Sequence, residues 1–154
     1  MAKQVETEIK TKQNILAIMI IEVVGKPPEH LQKALEDIAD KINQEKGIKV
    51  QSKKIHEPKP LEKHKEFFST FMEVEILADH ILDLTRIMFV YMPSNIEIIK
   101  PESISISNNY LNEILNETTR KMHQYDETAR ALKAHTMRME KHIQENMPKK
   151  EEKK

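Results

Sequence analysis

Seven histidines and a dense set of carboxylates are the side chains through which this sequence could hold a metal or move a proton. Helical metal-binding histidine pairs sit at i, i+4. No such pair occurs among His30, His56, His64, His80, His123, His135 and His142. His135 and His142 stand seven residues apart, about 10 Å along a helix, too far for one ion within one chain. They read as solvated flank residues, and His56 and His64, in a charged stretch, read as surface residues. Among the acids, Glu22 stands out because it interrupts an apolar run, Ile15–Val24. It could take a ligand amine, or simply reach solvent or a lysine at a strand end. No serine or threonine stands in a nucleophile context. No catalytic residue, metal ligand or cofactor is assigned, and the chain is not read as an enzyme.

Composition removes further classes of chemistry. The chain has no cysteine, which excludes disulfides, thiolate catalysis and cysteine-ligated metal sites. It has two glycines, Gly25 and Gly47, where phosphate-cradling loops need several. Its 25 basic and 25 acidic residues balance to zero, which argues against a general nucleic-acid footprint. The N-terminus is polar and does not read as a signal peptide. The apolar run Ile15–Ile21 is too short to cross a membrane. A soluble, cytoplasmic protein is expected.

The elements that must position any site follow from periodicity. Residues 1–14 are polar and expected to be a flexible segment. Ile15–Val24 is β-branched and apolar on both faces, as a central strand is. A Gly25-Lys-Pro-Pro turn leads to a helix with Leu31, Leu35, Ile38 and Ile42 inward. Pro28 suits its first turn, and Gly47 is expected as its C′ residue. Ile48–Ile55, rich in lysine, reads as a protected edge strand, and His56–Glu66 as a loop. Phe67–Ile76 is a third strand, with Phe68, Thr70, Met72, Val74 and Ile76 on one face. A helix over about Ala78–Tyr91, with Ile81, Leu84 and Met88 inward, stops at Pro93. Asn95–Lys100 is a fourth strand, which Ser103–Ser107 could extend. The order β-α-β-β-α-β predicts an α+β, ferredoxin-like domain over 15–107.

A long helix is expected to follow, over about 108–147, ahead of a disordered charged tail at 148–154. Serine and asparagine at Ser107–Asn109 can cap its start. Its apolar residues alternate spacings of four and three: Leu111, Leu115, Thr118, Met122, Tyr125, Ala129, Leu132, Thr136, Met139 and Ile143. That is a coiled-coil seam. With Leu115 at a and Thr118 at d, a parallel pair would set Lys121 near Asp126 and His135 near Glu140 across the interface. Thr118, Ala129 and Thr136 bury little area, so the globular part is expected to contribute to any oligomer. Leu16, Ile18 and Ile20 are expected to line up with Phe67 and Phe71 on the sheet face opposite the helices. An apolar face of that size needs a cover, which could be a second subunit's sheet, the long helix or a ligand, and protein contact is the expected one. The two phenylalanines could alternatively stack nucleic-acid bases, although the first strand offers aliphatics where a second aromatic would stand.

The segments EVVGKPPEHLQKALEDIADKI and VEILADHILDLTRIMFVYMPSNIEII, within Ile15–Lys100, resemble ACT-like domains. In that family the first strand enters a Gly/Pro turn at the first helix, and a Pro-marked turn precedes the fourth strand. The resemblance implies a dimer that binds an amino acid or other small metabolite at the subunit interface, near Glu22, Gly25 and Lys26. The chain departs from the family pattern at the turn, where Pro-Pro replaces an acid followed by Pro-Gly. The sequence therefore supports a homo-oligomeric assembly or adaptor protein. Its alternatives are an ACT-like metabolite sensor and a nucleic-acid binder through the open sheet face. Expected oligomer contacts are Leu16, Ile18, Ile20, Phe67 and Phe71 on the sheet, with Leu115, Met122, Tyr125, Leu132, Met139 and Ile143 on the helix.

Overall fold

The computed structural model describes residues 12–146. The N-terminal segment 1–11, Met147 and the tail at 148–154 lie outside them. Two compact units are present, the first ending at Ile114 and the second beginning at Leu115.

The first unit is an antiparallel sheet with helices on one face. Strand β1 (Ile15–Gly25) is followed by α1 (Pro28–Gln44), β2 (Ile48–Ile55), a short β3 (Lys59–Pro60), β4 (Phe68–Ala78), α2 (Ile81–Tyr91) and β5 (Asn95–Lys100). The sheet order is β2-β4-β1-β5, with β3 attached to β4. The two apolar strands are thus central and the lysine-rich β2 lies at an edge, the ferredoxin-like arrangement the sequence predicts. β1 and β4 pair along their whole length, from Ile15 opposite Ala78 to Gly25 opposite Phe68. Alternation sends Ile15, Ala17, Met19 and Ile21 to the same side as Met72, Val74 and Ile76, and these residues form the core. Leu35, Ala39 and Ile42 of α1 close over them, joined by Leu84 and Ile87 of α2.

Several local expectations change. α1 ends at Gln44, and Glu45 is already extended, so Gly47 is not its C′ residue. Gly47 instead takes a left-handed conformation, φ 76°, in the turn into β2. The stretch His56–Glu66 is not wholly a loop, because Lys59 and Pro60 pair with Ser69 and Phe68. Ala78 ends β4 and does not start α2. Ile81 and Leu84 of α2 face the core as expected, joined by Asp83, Thr85 and Ile87, whereas Met88 is exposed. The helix starts at Ile81, three residues later than periodicity suggests. Met92, in the left-handed region, ends the helix just before Pro93. Ser103–Ser107 forms no strand, yet Ile104 packs on the core. Gln13 is tied down: its N–H donates to the Asp79 carbonyl, and its Oε1 accepts from Ile81 N–H at 3.0 Å.

The edge strand β2 is interrupted by a bulge between Val50 and Ser52. Val50 N–H there donates to the Asn43 side chain of α1 at 3.0 Å. The bulge and its lysines leave an edge poorly suited to pairing with another sheet.

Helix α3 runs over Asn108–Asn146, 39 residues. Tyr110 N–H donates to Ser107 Oγ at 3.2 Å, which makes Ser107 its cap. Tyr110 is the only residue of this helix that is buried. Among the described residues no helix is long and apolar enough to cross a membrane.

Candidate functional site

The strand pairings define the sheet face opposite the helices, row by row. Along β1 it presents Leu16, Ile18, Ile20, Glu22 and Val24. Their β4 neighbours are Leu77, Glu75, Glu73, Phe71 and Ser69. Leu16, Ile18 and Ile20 do share this face with Phe71, but Glu75 and Glu73, not phenylalanines, stand beside Ile18 and Ile20. On the β5 side, Glu97 and Asn95 flank the same two isoleucines. The apolar area is therefore a stripe one strand wide at Ile18 and Ile20, near 5 Å across, and it widens at Leu16, which adjoins Leu77. Its residues are half-buried.

Polar side chains cross-link the face. Ser52 Oγ donates to Glu75 at 3.1 Å. His56 Nε2 lies 2.6 Å from Glu73 Oε1, and its ring stacks on Phe71 with centroids 4.1 Å apart. His56 N–H donates to the Phe71 carbonyl, and Thr70 Oγ1 donates to the His56 carbonyl. His56 is thus no free surface residue; its side chain is 29 % exposed, against 69 % for His64. Because Glu22 pairs with Phe71, a row of carboxylate, ring and imidazole crosses three strands. Lys26 Nζ sits 4.8 Å from the ring centroid of Phe67, a cation–π distance. Glu22, Gly25, Lys26, Phe67 and Phe71 accordingly gather at one end of the sheet. The Lys26–Pro27 peptide in that turn is cis. Sequence reasoning missed His56 and Glu73. The signal was the alternation Ser52, Lys54, His56, which continues one residue past the end of β2.

The arrangement orients an imidazole, and the Ser52 and Thr70 hydroxyls are engaged in holding the face. Among the described residues no group of three histidines or carboxylates is placed to hold a metal ion.

A cavity of about 310 Å³ opens at the other end of the sheet, between Lys46, Gly47, Asp79, His80 and Tyr110. Both of its carboxylates are paired. Asp79 pairs with Lys12 at 3.0 Å, and Asp83 with Arg86 at 3.1 Å. The Ile81 and Leu82 N–H groups at the start of α2 donate to Gln13 Oε1 and Tyr110 Oη, at 3.0 and 3.4 Å. These bonds make the cavity a joint that fixes α2, and of the residues named from sequence it contains Gly47 and His80.

The described residues of the second unit, from Leu115 to Asn146, are helix. Leu115, Met122, Tyr125, Leu132, Met139 and Ile143 are all exposed along it, Leu132 at 63 % and Met122 at 62 %. The small seam residues Ala129 and Thr136 are exposed too. His135 and His142 lie on the helix surface beside Met139 and Ile143.

The model of the MJ0538 family matches residues 16–151. The chain belongs to the MJ0538 family. That match takes in the sheet from Leu16 onward and the whole of the long helix, so both are parts of the MJ0538-family architecture. No curated protein and no solved structure matches the chain.

Proposed function

We propose that this MJ0538-family chain is a homo-oligomeric assembly or adaptor protein of the cytoplasm, with no catalytic step of its own. The long helix is its main contact with a second copy. One observation carries this reading: a 39-residue helix keeps every large residue of its four-three apolar seam exposed beyond Tyr110, from Leu111 to Ile143. Fully burying a leucine, isoleucine or methionine is worth roughly 1.5–3 kcal/mol. Six large seam residues per chain suffice to offset an association cost of about 4–15 kcal/mol. The narrow stripe of Leu16, Ile18 and Ile20 is a lesser contact, because carboxylates border it.

Sedimentation equilibrium of the full chain tests the proposal. A dimer or higher oligomer at micromolar concentration is expected. Leu132→Asp, which sets a carboxylate in the seam, is expected to give a folded monomer. A wild-type chain that is monomeric throughout would end this reading.

A second reading draws on the cluster at the Gly25 end of the sheet. The ACT-like resemblance places a small metabolite at that turn, and Glu22, Lys26 and the two phenylalanines offer an acid, a base and aromatic surface there. A thermal-shift screen with amino acids tests it. A raised melting temperature that is lost in Glu22→Gln and Lys26→Met would support a sensor. Base stacking has less support, since His56 already covers a face of Phe71 and Lys26 sits over Phe67.

A further inference from the structure

We infer that the long helices of two copies pair antiparallel, in the register that sets Ala129 opposite Leu132. This inference rests on the proposed assembly through the helix. In a parallel pair each seam residue meets its own copy. Ala129, Thr118 and Thr136 would then form layers too thin to fill, while Tyr125 and Met122 would form thick ones. In an antiparallel pair, a positions meet d positions of the other chain. Ala129 then packs on Leu132, Thr136 on Tyr125, Thr118 on Ile143, and Met122 on Met139. Three of these four layers join a small residue to a large one, as interior packing density demands, while Met122 meets Met139 and, at the end, Leu115 meets Asn146. The helix is long enough for all of these layers and leaves its large seam residues exposed to form them.

Charge fixes the register. The flanks of an antiparallel pair match e with e and g with g. In the inferred register Asp126 of each chain faces Lys133 of the other. A slip of one heptad either way sets Lys133 against Lys133 or Asp126 against Asp126. Lys121 faces His142, which is unfavourable only when the imidazole is protonated. Parallel pairing also offers attractive flanks, Lys121 with Asp126 and His135 with Glu140, so layer size decides between the orientations.

The absence of cysteine makes a clean test possible in the full chain. Thr118→Cys and Ile143→Cys are made separately, one with a mass tag, and oxidised alone and after mixing. Antiparallel pairing predicts a disulfide between the two variants in the mixture. It predicts little self-linking, since identical positions lie roughly 37 Å apart at 1.5 Å per residue. Self-linking of both variants would overturn the inference in favour of a parallel pair. A chain that sediments as a dimer yet gives no mixed link would overturn the orientation and register and leave the assembly standing. A chain that sediments as a monomer and gives no link would remove the assembly reading itself.

Discussion

Gly47 has a role that belongs to one backbone position. Its φ of 76° is a conformation that side-chain-bearing residues rarely adopt, and a Cβ there would stand 2.4 Å from Asp83 Oδ2. Asp83 is buried and held by Arg86, so it cannot swing away freely. Gly47→Ala is expected to destabilise the fold by more than about 1 kcal/mol. Adding Asp83→Ala should cost less in the Gly47→Ala background than alone, because it relieves the clash; urea denaturation of the four proteins checks this. Tyr91 offers a second test. Burial first, and then its 2.9 Å hydrogen bond to Glu45, push its hydroxyl up to about 12 from an ordinary value of 10.0. The folded state therefore holds this proton more tightly than the unfolded chain. The stabilisation is complete below pH 10 and fades as pH rises from 10 to 12. Absorbance titration is expected to lose a component near 12 in Tyr91→Phe. That variant's stability should also fall less steeply over the same window.

Elements reveal their causes unevenly to a reader of sequence. β1 and β4 are legible because alternation over eleven residues each leaves one consistent set of inward side chains. α1 is legible for the same reason at helical spacing. What sequence could not supply is register, and with it the identity of cross-strand neighbours. Phe71 meets Glu22 and not an isoleucine because the β1–β4 pairing runs from Gly25 with Phe68 to Ile15 with Ala78. A slip of two residues would keep every core residue inward and change every neighbour on the open face. The start of α2 falls three residues after the expected one for a related reason. Its start depends on Gln13 capping Ile81, a contact between residues 68 apart in the chain. The cavity beside Tyr110 has no sequence signal at all, since separate elements build it. Within α3, the charge pattern yields its own prediction. Asp126→Lys sets lysine against Lys133 of the other chain and is expected to weaken the dimer several-fold, exposed pairs being worth up to about 1 kcal/mol each. Adding Lys133→Asp should restore it. In a parallel pair Lys133 faces Thr128, so the second change would restore nothing; dilution sedimentation of both variants distinguishes the cases.

At the scale of the molecule, the question is where folding ends and assembly begins. The family match spans both units, yet the core does not. Every buried residue among those described lies at or before Tyr110, and no residue after it in the helix is buried. The boundary of the self-sufficient fold therefore falls inside α3, after its first two turns. Tyr110 is completely buried, and its hydroxyl accepts the Leu82 N–H at the start of α2. A chain ending at Asn109 would lose that side chain, a change in the class that costs roughly 3 kcal/mol or more. A chain ending at Ile114 keeps it, together with the Ser107 cap. The Ile114 truncation is expected to unfold cooperatively, with a circular dichroism spectrum that loses helix and retains the sheet, and to sediment as a monomer. The Asn109 truncation should melt well below it. If the Ile114 truncation instead remains a dimer, the apolar stripe of Leu16, Ile18 and Ile20 must hold the subunits, and the helix only extends a contact made on the sheet.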